Sequence, residues 1–184
     1  MEFSRTELPG VVVVDPKVWS DQRGFFLEFY HAEKFRRGGI DARFVQDNHS
    51  YSVEGTLRGL HGQCRSPQGK FLRVIRGAIY DVAVDLRRSS PTFKRWLGLE
   101  LSAENRRMVY IPPGLVHGFC VTSDVAEIEY KCTAVYDPED EFGVVWNDPD
   151  LAIDWPTDAP ILSEKDASFP RLAEILDTLP EYPV

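Results

Sequence analysis

Short runs of β-branched and aromatic residues, separated by Gly, Pro, Asn, Asp or Ser, recur along the chain and predict about ten strands. They are Val11–Val14, Phe25–Tyr30, Arg43–Val45, Phe71–Ile75, Ile79–Leu86, Trp96–Leu101, Met108–Ile111, Gly118–Thr122, Glu127–Ala134 and Gly143–Trp146. Two windows have helical spacing instead. Ala32–Arg37 is closed by Gly38-Gly39, and Leu172–Leu179 carries Leu172, Ile175, Leu176 and Leu179 before Pro180. Many closely spaced strands in one domain's length predict an all-β sandwich, jelly roll or barrel with short flanking helices. Within Ile79–Leu86 the period of two puts Tyr80, Val82, Val84 and Leu86 on one face. Ile79, Asp81, Ala83 and Asp85 take the other, so one wall of this strand carries acids that would back any site built there. The Pro-rich stretch from Pro149 to Pro170 predicts a coil wrapping the body.

Composition narrows the function classes. A chain of 184 residues, 43% apolar and 27% charged, is one globular domain, 1–184, and not a disordered or fibrous sequence. Lys+Arg 21 against Asp+Glu 29 gives −8, so no general basic surface exists for nucleic acid or an anionic membrane. An anionic ligand would need a local knot of cations. Cys64, Cys120 and Cys132 are odd in number and contain no C-x-x-C, which speaks against a disulfide framework or zinc ribbon and for a reducing compartment. With no signal-peptide pattern around Glu2, Arg5 and Glu7, a cytoplasmic location is expected.

Candidate chemistry concentrates in two stretches. Gln46–Lys70 mixes Gln, Asn, Arg, His and Lys with glycines rather than with surface Glu. If Thr56–Gln63 is a strand, strict alternation separates Arg58 from His61, and a bulge at Gly59 would realign them. The second stretch, IPPGLVHGF at Ile111–Phe119, presents His117 after a tight turn. Its P-x-G-x-x-H spacing resembles the second motif of the cupin superfamily, and G-L-H-G-Q stands where the first should be. Metal cupins carry further ligands where this chain has Gln63 and, nearby, Lys70, so too few donors remain and no metal is expected.

The resemblance then narrows. D-Q-R-G-F-F (21–26), F-V-Q-D-N-H-S (44–50), L-R-G-L-H (57–61), P-Q-G-K (67–70), D-V-A-V-D-L-R (81–87), S-P-T-F (90–93), L-S-A-E-N-R-R (101–107), I-P-P-G-L-V-H-G-F (111–119), E-Y-K-C-T (129–133), W-N-D-P-D (146–150), I-D-W-P (153–156) and I-L-S-E-K-D (161–166) resemble, in order and spacing, the dTDP-4-dehydrorhamnose 3,5-epimerase family. That resemblance implies a cupin jelly roll, a dTDP-linked 4-keto-6-deoxy sugar as substrate, inversion of both carbons flanking the ketone, and no cofactor. It implies His61 as general base, Tyr130 as the acid on the opposite ring face, Lys70 as donor to the enolate oxygen and Asp166 as the carboxylate orienting His61. Arg23, Arg58, His117 and Lys165 match positions that hold the diphosphate and sugar, and supply the cationic knot. Glu28, Gln46, Asp47, Asn48 and Glu141 match further substrate contacts, Tyr136 the aromatic stacked on thymine, and Phe26 and Phe119 the apolar wall around the sugar. It also implies a homodimer whose N-terminal strand crosses to the partner.

Gly62 departs from the pattern, because the family usually has an aromatic there; it either flanks an altered sugar or faces away from the base. Relatives inverting one carbon share the catalytic set, so single-site 3- or 5-epimerisation is the alternative. A non-catalytic nucleotide-sugar-binding cupin is disfavoured because a pure binder needs no base and acid on opposite faces. A metal-dependent oxygenase is disfavoured by Gln63.

Overall fold

Alternation along the strands sorts the chain into two antiparallel sheets packed face to face. In a computed structural model, which describes residues 1–182, the elements are β1 (Glu2–Arg5), β2 (Val12–Asp15), β3 (Val18–Asp21), β4 (Gly24–Leu27), α1 (Ala32–Arg37), β5 (Gln46–Val53), β6 (Leu57–Gln63), β7 (Lys70–Arg76), β8 (Ala78–Val84), β9 (Trp96–Ser102), β10 (Met108–Ile111), β11 (Val116–Val121), β12 (Val125–Cys132), β13 (Glu141–Gly143), α2 (Glu164–Ala167) and α3 (Leu172–Ile175). The six-stranded sheet runs β1-β2-β10-β7-β12-β5 and the five-stranded sheet β13-β6-β11-β8-β9, while β3 and β4 form a separate hairpin. This is the expected jelly roll with short flanking helices; the last two residues of the expected 1–184 domain lie outside the described residues.

The two faces of β8 separate as alternation requires. Ile79 and Ala83 pack between the sheets with Leu72, Val74, Val109, Ile111 and Ile128. Val82, Val84 and Leu86 face outward, where Leu151, Trp155, Leu172 and Leu179 cover them, so the Pro-rich segment does wrap the body. The outer face of the six-stranded sheet is covered in turn by Phe35 of α1 with Phe3, Tyr30 and Phe44, in edge-on aromatic contacts.

Three strands escape the sequence pattern, each for a physical reason. Arg43–Val45 is coil, and the strand expected there begins at Gln46. Gln46, Asn48, Ser50 and Ser52 alternate inward on β5, so a strand whose inner face lines a cavity carries no apolar signature. β1 and β3, short and rich in charged or exposed residues, lie at an edge and in the hairpin. The Leu172–Leu179 window also divides, α3 giving way to a 3-10 turn at Leu176–Thr178.

Past the end of β8, Asp85 is fully buried and accepts hydrogen bonds from Arg87 Nε (2.9 Å) and Nη2 (2.8 Å), Ser90 Oγ (2.6 Å) and Thr92 Oγ1 (2.7 Å). Burial alone would raise its pKa, but these donors outweigh it and hold the carboxyl at about 2. Because the folded pKa lies below the unfolded one, the contribution is complete above pH 3.8 and disappears as pH falls toward 2. The shift is worth about 2 kcal/mol. Asp85→Asn is expected to lower the unfolding free energy at pH 7 by about 2–4 kcal/mol and to flatten its decline between pH 4 and 2, as read by urea titration. An unchanged acid profile would remove this assignment.

Candidate active site

Inner-facing side chains from both sheets meet in a cleft of two adjoining lobes. One, of about 250 Å³, is lined by Gln46, Asn48, Gln63, Gln68, Tyr136 and Glu141, among others. The other, of about 410 Å³, is lined by Arg58, His117, Phe119, Asp166 and the apolar floor of Leu72 and Ile128. His61, Lys70, Tyr130 and Lys165 belong to both. Twelve of the sixteen residues expected from sequence are thus brought together.

The bulge that aligns Arg58 and His61 is present. His117 pairs with His61 and Phe119 with Arg58, so three residue steps on β6 oppose two on β11. The extra residue keeps Arg58 and His61 on the cavity side while Leu57 and Leu60 both enter the outer core. Gly59 sits at φ +117, and a Cβ there would lie 2.6 Å from both His117 O and Gly118 Cα. No other residue type fits.

His61 and Tyr130 come from opposite sheets, on β6 and β12. Burial, with the cations Lys70 and Lys165 and with His117 nearby, drives the His61 pKa well below 6.5, so its imidazole is neutral at pH 7. Burial raises the Tyr130 phenol, which stays protonated. Burial also lowers Lys70, and Cys132, Glu141 and Asp81 act against that loss of charge. For Lys165 burial likewise opposes the charge, but its hydrogen bond to Glu141 Oε2 (2.6 Å) wins and raises the pKa. The other oxygen of Glu141 stands 3.6 Å from His61 Nε2.

The expected contact between Asp166 and His61 is not a direct hydrogen bond here. Asp166 Oδ2 accepts from Ser163 Oγ (2.8 Å), and its backbone N–H donates to the same oxygen, closing the first turn of α2. His61 Nδ1 and Asp166 Oδ1 are both buried without a partner. Four other expected residues lie outside the cleft. Asp47 points to the outer face of β5, where it pairs with Lys131, because its neighbours Gln46 and Asn48 take the inward positions. Arg23 pairs with Asp21 on the hairpin, Phe26 is 67% exposed beside Trp19, and Glu28 pairs with Lys34.

Sequence reasoning missed Gln68, and it missed that Gln46 and Gln63 anchor the segment carrying Tyr136. Gln63 donates to Ser66 O (2.8 Å) and accepts from Asp137 N, Gln46 accepts from Tyr136 N, and Gln68 donates to Ala134 O. Gln63, in the place of a metal-cupin ligand, is consumed in holding this loop. Among the described residues no group of three or more His, Cys, Asp or Glu is arranged to hold a metal ion. Gly62 lines the smaller lobe next to His61, and a Cβ there would meet Leu115 O at 3.3 Å and Phe142 at 3.4 Å, so the departure falls on the wall of the cleft itself.

Residues 5–174 match the family model described as dTDP-4-dehydrorhamnose 3,5-epimerase. The chain is 54% identical to the enzyme of that name from Pseudomonas aeruginosa, over 95% of this chain and 97% of the relative. The corresponding protein from Methanothermobacter thermautotrophicus is 50% identical, over 94% and 95%. A crystal structure of dTDP-6-deoxy-D-glucose-3,5-epimerase from Legionella pneumophila in complex with dTDP-4-keto-L-rhamnose superposes with a TM-score of 0.95 at 46% identity, covering 100% of this chain and 99% of that one.

Proposed function

The chain belongs to the dTDP-4-dehydrorhamnose 3,5-epimerase family and is an isomerase of dTDP-rhamnose biosynthesis, and we propose that the two-lobed cleft performs the inversion with its own side chains. The substrate is dTDP-4-dehydro-6-deoxyglucose and the product dTDP-4-dehydrorhamnose. Neutral His61 removes the proton from a carbon beside the ketone, and the electron pair moves onto the carbonyl oxygen as an enolate. Lys70 donates to that oxygen where charge develops. Tyr130 returns a proton from the other ring face, which inverts the centre. The proton taken by His61 makes an imidazolium, whose charge is balanced by Glu141, 3.6 Å from Nε2, and by Asp166 in the same lobe. The imidazolium then releases its proton to solvent and the phenolate takes one from it, and the cycle repeats on the second carbon.

The observation that carries this reading is that base and acid stand on opposite sheets and share one cleft with Lys70. One residue cannot serve both faces of a ring, and two residues on one sheet would approach the same face. Arg58 and Lys165 supply cations for the diphosphate and sugar, His117, Gln46, Asn48 and Glu141 polar contacts, Phe119 an apolar wall, and Tyr136 the stacking surface for thymine. Proton NMR in deuterium oxide with dTDP-4-dehydro-6-deoxyglucose is expected to show solvent deuterium at both flanking carbons and the rhamno product. Exchange at one carbon only would mean single-site epimerisation, and no exchange would overturn the reading. Tyr130→Phe is expected to slow inversion about 10²-fold or more while exchange persists.

We propose further that the enzyme is a homodimer in which the β3–β4 hairpin reaches the partner's cleft. In support, Arg23, Phe26 and Glu28 lie outside this chain's own cleft, and Trp19, Phe25 and Phe26 are exposed together on the hairpin. Sedimentation that finds only monomer under assay conditions would remove this part. No helix of the described residues is long and apolar enough to cross a membrane, and the free cysteines support a cytoplasmic location.

A further inference from the structure

Asp81 lies on the inner face of β8, in line with Ile79 and Ala83, which belong to the apolar core between the sheets. Its residue surface is 1% exposed, and the one side-chain hydrogen bond of its carboxylate among the described residues is to His117 Nε2, at 2.6 Å. A carboxylate buried with a single strong partner is costly, and an apolar residue like its neighbours would fill the position without that cost. What Asp81 supplies must therefore lie in what it does to His117.

An ionised carboxylate only accepts hydrogen bonds, so the Nε2 that faces it carries a proton. His117 Nδ1 has no protein partner among the described residues and is not among the buried unpartnered atoms, while the ring lines the larger lobe. Nδ1 is thus the ring nitrogen left for a ligand. His117 is also the cross-strand partner of His61, and Asp81, whose own partner on β11 is Phe119, reaches His117 diagonally, so the three lie on one face of β8, β11 and β6. The other charged groups of this lobe are the cations Arg58, Lys70 and Lys165, and Asp166, whose Oδ2 is tied to Ser163. Tyr130 faces it from β12. Asp81 is the carboxylate that holds the His117 ring directly.

We propose that Asp81 is a positioning residue for the epimerisation: it fixes the His117 ring with Nε2–H turned into the sheet and Nδ1 presented to a substrate oxygen in the lobe that also holds His61 and Lys70. The inference rests on the epimerase reading, and the two fail separately. Nitrogen-15 NMR of the histidine rings is done on the ligand-free protein and needs no reaction, whereas deuterium wash-in by the wild type tests the reaction without reference to Asp81.

The expected result is a wild-type His117 ring that carries its proton on Nε2, the nitrogen facing Asp81, and an Asp81→Asn ring in which that preference is lost. With it, kcat for wash-in falls about 10- to 100-fold while KM changes less than about 3-fold. In a His117→Asn background, Asp81→Asn adds no more than about a 3-fold loss, because the two act as one unit. A wild-type ring with Nε2 bare, full wash-in by Asp81→Asn, or losses that simply multiply would overturn the proposal. Should Asp81→Asn fail to fold, the wild-type ring measurement still decides.

Discussion

Replacing His61 by Asn is expected to abolish deuterium wash-in at both carbons, a loss of at least about 10³-fold, with the fold intact. The effect is large because His61 is the neutral base of the cleft, and the remaining groups there are ammonium ions, a guanidinium, a phenol held protonated by burial, His117, whose Nε2 is already engaged by Asp81, and the carboxylates Glu141 and Asp166, which are bonded to Lys165 and Ser163. Stability should be nearly unchanged, since Nδ1 has no partner to lose and Nε2 stands 3.6 Å from a Glu141 that keeps its bond to Lys165. Wild-type kcat/KM carries the matching pH signature. Because burial and neighbouring cations lower the His61 pKa, the base stays free below pH 6.5, and the acidic limb must have its midpoint under that value. A variant that still exchanges deuterium, or a limb centred above 6.5, would exclude His61 as the base.

Gly59→Ala is expected to be the most damaging single change outside the reacting groups. At φ +117 an L side chain is strained, and its Cβ would sit 2.6 Å from the backbone of β11 at both His117 and Gly118. No side-chain rotation relieves a backbone clash, so the cost is about 3 kcal/mol or more in chemical denaturation. Whatever yields to it also moves the bulge, and with it the alignment of Arg58, His61 and His117. The variant should therefore lose exchange activity at temperatures where it remains folded. Gly59→Ala with wild-type melting and wild-type exchange would mean the bulge is not what holds the base in place.

The clearest legible features were those that depend on local pattern. Period-two faces of β8, helix α1 ending at Gly38 and the covering C-terminal coil all follow from apolar spacing and turn residues, which act within a few positions. Cleft walls are the opposite case. β5 turns Gln46, Asn48, Ser50 and Ser52 inward, and a strand that lines a polar cavity looks, residue by residue, like a loop. The same holds for Gln63 and Gln68, whose task is to anchor a segment some 70 positions away, at Ala134–Asp137.

Sequence by itself determined the family, the chemistry available and most of the residues that meet in the cleft, because ordered motifs specify side-chain types at fixed separations. It also narrowed the Arg58–His61 problem to a bulge at one glycine. Only the tertiary structure decided which sheet each reactive group stands on, that Asp47 turns away while Gln46 and Asn48 turn in, that Asp166 Oδ1 is left free, and that Asp81 holds His117. Those facts depend on strand register and on contacts between positions tens of residues apart, such as the 36 that separate Asp81 from His117. A linear pattern fixes which groups a chain can offer; packing two sheets together fixes the faces, distances and charges with which they meet.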